Sequence, residues 1–269
     1  MLLTFFLICI VLGALTGFLA GLLGIGGGLL IVPALVYLLP LLDIAEELIM
    51  TMALATSLAT IIITSTAAAY AHHKNNNIPW PIARVLMLFM AIGALLGAFI
   101  ATILSAKTLT LFFSITVSLL ALNMIFSTIR NNTTNINENT CPPNKFSLRL
   151  LGVFTGAVSS LMGIAGGAIL IPLLSYLKTP LRKAIGVATI CGVMVAVFGS
   201  LGYVVSGYNE SLLPPWSLGY IYLPALLGLT LTSSLFAPYG VNLAKKLPVI
   251  VLKRLFACFL IIVAVQMMR

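Results

Sequence analysis

Apolar stretches of about 20 residues recur along this chain, and none carries Asp, Glu, Lys or Arg at its centre. They run over residues 2–23, 29–42, 48–71, 82–104, 109–129, 147–162 and on through GIAGG to 177, 184–205, 218–236 and 247–268. Hydrocarbon offers no partner to a backbone N–H or C=O, so segments of this kind cross a membrane as helices. Composition agrees: 61% of the residues are hydrophobic and 7% are charged, against about 25% charged in soluble domains. An all-α, polytopic integral membrane bundle is expected. The amino-terminal run has no basic segment before it and no cleavage signal within it, so it reads as part of the mature protein.

The net charge of +9 belongs with loops and a lipid surface. No basic helix or aromatic stacking platform supports a nucleic-acid partner. Cys9, Cys141, Cys191 and Cys258 are scattered, with no CxxC, and imply neither a disulfide framework nor a metal site. His72 and His73 close an apolar segment beside Lys74 and read as solvated. No HExxH, GxSxG or phosphate-loop motif is present, so no enzyme chemistry and no cofactor are expected. Intramembrane carboxylates commonly mark proton relays and cation paths. Their absence from the span centres argues against a cation channel or carboxylate-based pump.

The chain repeats. Residues 13–38, GALTGFLAGLLGIGGGLLIVPALVYL, align with 152–177, GVFTGAVSSLMGIAGGAILIPLLSYL, at an offset of 139 with 12 of 26 positions identical. ALATSL (53–58) then resembles GVATIC (186–191). The expected organisation is a first membrane repeat over 1–130, a polar Asn/Thr-rich linker over 131–146 and a second membrane repeat over 147–269. If each glycine-interrupted segment crosses the membrane once, Lys and Arg divide evenly between the faces. If each is a re-entrant hairpin, only Lys107 and Arg269 leave the face that holds the other 12 of the 14 Lys and Arg. That bias favours the hairpin. Each half then crosses three times and the halves are inverted, a recurrent plan of secondary transporters. Residues 2–23 are long for half a hairpin and would have to tilt strongly.

Glycine weakens a helix interior by roughly 0.5–1 kcal/mol, yet Gly26, Gly27 and Gly28 stand together in an apolar run. Non-helical backbone at membrane depth persists only against protein or a water-filled cavity. The break frees N–H groups and starts a new helix at Leu29, whose amino-terminal end attracts anions. Gly166 and Gly167 supply a second such end. Two converging ends would hold a small oxyanion without a buried cation. Thr56 and Ser57, with Thr189 in the other half, are candidate hydroxyl donors, whereas Thr60, Thr64 and Thr66 are expected to bond back into their own helix. Gly13, Gly17 and Gly21 read as close helix packing.

Taken together, the GxxGxGGGxxxxPxL opening, the ATSL of the second segment, the partial repeat GIAGGxxxxPLL and the ending SLGYIYLPALLG…APYGVNLAKKLPVIVLKRLFACFLIIVAVQMM resemble the TauE/SafE family of sulfite exporters. The resemblance runs from Gly13 to Met268. It implies export of a small, often sulfur-containing anion such as sulfite or an organosulfonate across the bacterial inner membrane. Asn75–Asn77 stand where the family usually has a glycine before its Ile-x-Trp element, which is Ile78–Trp80 here. Ala165 replaces one glycine, and Ile190–Cys191 replace a Ser–Leu pair. The second half of the site is therefore expected to be the weaker, or to suit a different anion. The reading is a secondary transporter working by alternating access in contact with lipid, open to homo-oligomerisation. The rival is a non-transporting membrane accessory or assembly protein.

Overall fold

The computed structural model describes residues 2–23, 27–129, 145–177 and 179–244, together with 261, 266 and 267. The 131–146 linker and the last apolar segment thus lie almost wholly outside the described residues, as does Gly26. The described elements are helices α1 (Leu2–Leu23), α2 (Gly28–Leu38), α3 (Glu46–Lys74), α4 (Trp80–Ile103), α5 (Ala106–Ile129), α6 (Lys145–Leu161), α7 (Gly167–Tyr176), α8 (Leu181–Ser206) and α9 (Leu223–Ala244). A 3-10 turn, Leu39–Leu42, extends α2, and a two-strand antiparallel ladder pairs β1 (Ser217–Leu218) with β2 (Ile221–Tyr222).

Helix ends follow local chemistry. Asn76 takes φ 53° in the turn after α3, a conformation that Asn tolerates. Pro79 and Pro180 hold extended backbone ahead of α4 and α8, as proline's fixed φ and missing donor favour. The His73 and Trp80 rings meet edge to face at 5.5 Å across the α3–α4 loop.

Side-chain size sorts inside from outside. Val11 and Leu15 on α1, Leu111, Ile115 and Leu119 on α5, and Leu227, Leu231 and Leu235 on α9 recur at four-residue intervals and are exposed. The opposite face of α4 is buried and small: Ala91, Gly93, Ala94, Gly97, Ala98 and Ala101. Large apolar stripes outward and small residues inward suit lipid, where close backbone approach drives helix association. Among the described residues four helices are long and apolar enough to cross a membrane, and the chain is a multi-pass membrane protein. Of their apolar windows, that of α3 is 83% buried and that of α5 28%, so α3 forms the axis and α5 the periphery.

The most extensive packing joins α1 to α9 and α4 to α6; α3 and α8 cross at the centre. A Cβ on Gly17 would strike the Ser233 backbone, and one on Gly156 would strike Met90 O. Gly17 and Gly156 occupy equivalent positions in the repeat. The Thr232 hydroxyl also donates across α1–α9 to Ile10 O at 2.7 Å.

One segment departs from expectation. Residues 218–236 were expected to form a single span, but the chain makes the β1–β2 hairpin before α9 begins at Leu223. Gly219, at φ 54°, makes the turn and lies against α8, where a Cβ would come within 2.6 Å of Val204 Cα. Ile221 and Tyr222 are buried.

Candidate functional site

The last residue of each glycine break before its helix has the same geometry. Gly27 has φ 71° and Gly166 φ 74°, and an offset of 139 relates them. Each immediately precedes a helix, α2 or α7. Gly27 O accepts from Leu30 and Ile31 N–H at 3.0 and 3.2 Å, and Gly166 O from Ile169 and Leu170 N–H at 3.2 and 2.8 Å. The left-handed turn starts the helix abruptly with no side-chain cap at Gly27. In both cases the first N–H groups stand ahead of the hydrogen-bonded ladder and carry partial positive charge.

The breaks meet. A Cβ on Gly28 would lie 2.5 Å from Gly163 O and 3.1 Å from Ile164 Cα. The start of α2 therefore rests directly on the second break. That break leaves α6 through Gly163, at φ 64°, with Gly163 N–H bonded to Ser160 O and Ile164 N–H to Ser159 O. From α3, Leu54 Cα would be 3.0 Å from a Cβ on Gly163. From α8, a Cβ on Gly192 would sit 2.6 Å from Ala165 O. The junction lies between the two central helices.

The predicted hydroxyls divide. Ser57, fully buried, donates to Gly163 O at 2.8 Å. Its one proton is used, so it holds the second break in place. The Thr56 oxygen accepts the Tyr222 N–H at 3.0 Å and ties the β hairpin to α3; a hydroxyl in that role still has a donor to give. Thr189 turns back to Ile185 O at 2.7 Å, as Thr60 does to Thr56 O. Gly27, Gly28, Gly166 and Gly167 all lie at helix starts. Ser57→Ala would leave the buried Gly163 carbonyl without this partner, at about 1–3 kcal/mol. The expected result is a Tm several degrees lower in detergent, read by thermal unfolding; an unchanged Tm would remove Ser57 from the support of the break.

Two residues escaped the sequence reading. Ser159 and Ser160, at the end of α6, are fully buried, and their hydroxyls have no partner among the described residues. The signal was in the repeat, where Ala20 and Gly21 occupy the equivalent positions. Among the described residues, no group of three or more His, Cys, Asp or Glu could hold a metal ion.

Comparison with known proteins adds family evidence. A family model described as "Sulfite exporter TauE/SafE" matches residues 9–267. The chain is 43% identical over 268 residues to a probable membrane transporter protein of Haemophilus influenzae, covering 98% of each. It is 25% identical over 239 residues to a probable membrane transporter protein of Methanocaldococcus jannaschii, covering 88% of this chain and 86% of that protein. No solved structure matches.

Proposed function

Because the chain belongs to the sulfite exporter TauE/SafE family, we propose that it is a secondary transporter that exports a small oxyanion, such as sulfite or an organosulfonate, across the bacterial inner membrane. The observation that carries this reading is the contact of the α2 start with the second glycine break between α3 and α8, with Gly28 against Gly163 O. Both ends offer N–H donors. Among the described residues no Lys, Arg or His side chain is buried. Such a junction suits an anion held by neutral donors.

Alternating access is supported by the packing. The first helix of the first repeat, α1, lies on α9, and its counterpart α6 lies on α4. Equivalent partners of this kind fit two repeats, 1–130 and 147–269, inverted about an axis in the membrane plane. The halves rock about the junction and expose it to either side. An inside-negative potential alone drives anion efflux, by about 2.3 kcal/mol per charge per 100 mV. The halves share their glycine breaks, and the site lies where those breaks touch.

The test is uptake of radiolabelled sulfite into proteoliposomes, with sulfate, thiosulfate and small sulfonates as competitors. Saturable uptake that a sulfonate inhibits is expected. Folded protein that moves none of these anions would sink the reading and favour an accessory or assembly role.

A further inference from the structure

The second break has a serine, Ser159, where the repeat gives the first an alanine, Ala20. Ser159 is fully buried and its hydroxyl has no partner among the described residues. A buried unpartnered hydroxyl is costly, and such a group points to an occupant. Its direction is known. Ser159 Oγ lies 3.0 Å from where a Cβ on Gly166 would stand, so it faces the left-handed turn that opens α7. Ile169 and Leu170 give the first hydrogen bonds of that helix, both to Gly166 O. The N–H groups of Gly167 and Ala168 precede them. Helix α7 is 10 residues long, enough to carry partial positive charge at this end. In the first break, Ala20 takes the place of Ser159 and offers no hydroxyl.

We propose that the anion is held chiefly at the second break, by the Ser159 hydroxyl together with the Gly167 and Ala168 N–H groups, and that this subsite takes a monovalent oxyanion. The inference rests on the transporter reading above. The charge preference follows from the surroundings. Among the described residues no Lys, Arg or His side chain is buried, so no buried cation offsets a second negative charge, and a buried uncompensated charge is expensive. A hydroxyl oxygen can also accept a hydrogen bond from a protonated oxyanion, which an N–H cannot do. Hydrogensulfite meets both conditions and a simple sulfonate the first; sulfate meets neither. The site is thus asymmetric, and its stronger half is the one that the sequence departures marked as weaker.

The experiment uses the full chain in proteoliposomes, with radiolabelled sulfite as the transported probe and methanesulfonate and sulfate as competitors. Ser159→Ala should raise the half-saturating sulfite concentration roughly 5- to 10-fold, the loss of about one hydrogen bond. Ser114→Ala, which removes an equally buried and unpartnered hydroxyl on α5, should leave it unchanged. In detergent without anion, Ser159→Ala should be no less thermostable than the parent, because the deleted hydroxyl has no partner to lose. Methanesulfonate should raise the Tm of the parent more than that of Ser159→Ala. Methanesulfonate should compete with sulfite at least 10-fold better than sulfate. Wild-type half-saturation in Ser159→Ala would overturn the subsite, and if Gly27→Val still loses flux the transporter reading survives. Sulfate competing as well as methanesulfonate would overturn the charge preference. No flux of sulfite in the parent would overturn both readings.

Discussion

Sulfite flux should fall to the protein-free background in Gly27→Val and in Gly166→Val, while both proteins remain folded. The two glycines sit at φ 71° and 74°. An L residue in that region costs about 1–2 kcal/mol, and a β-branched side chain is a stronger outlier there. The strain falls on the turn that directs the first N–H groups of α2 and α7. A valine relieves it by rotating out of the left-handed region, which unwinds the helix start and scatters its donors. The fold rests mainly on the α1–α9 and α4–α6 packing, so the damage should stay local. Asparagine tolerates φ > 0, so Gly27→Asn should keep measurable flux where Gly27→Val keeps none. Size-exclusion profiles establish folding and proteoliposome uptake reads function. A folded Gly27→Val protein with the parent's rate would place the anion elsewhere.

Gly156→Leu should instead abolish folded protein. A Cβ at Gly156 would overlap Met90 O, with Met90 Cα 2.8 Å away. Across the same seam, Cβ atoms on Gly93 and Gly97 would strike the backbones of Val153 and Ala157. The contacts are backbone on backbone, so no side chain can swing aside. Overpacking commonly costs about 1–3 kcal/mol; here the helices must part along their length. Leu150→Ala, on the exposed face of the same helix, should solubilise as the parent does. Monodisperse Gly156→Leu protein with the parent's Tm would show that α4 and α6 do not depend on this approach.

Much of the fold was legible because period and composition act locally. Apolar segments announced the helices from α1 to α8, and the duplicated Gly–Pro–Tyr order located both helix starts. The β hairpin was not legible: Tyr220, Ile221 and Tyr222 are buried apolar residues, and a short apolar run reads alike in helix and strand. Hydroxyl roles were the least legible, because a hydroxyl's partner depends on what stands opposite. Ser57 reaches Gly163, 106 residues away, whereas Thr189 bonds four residues back within its own helix. Ser159 was passed over as one more hydroxyl in an apolar helix. Only its burial without a partner, beside Gly166, separates it from the rest.

The seam between α1 and α9 also sets a schedule for biosynthesis. Helix α1 ends at Leu23 and α9 begins at Leu223, 200 residues later. At about 5–20 residues per second of translation, α1 waits about 10–40 s for its principal neighbour. Gly13, Gly17 and the polar Thr16 face lipid or the insertion machinery throughout that interval. A helix made long before its partner is satisfied late, so quality control of the nascent chain would act on α1, and a ribosome stalled before α9 would leave a product marked for removal by its own unpaired α1.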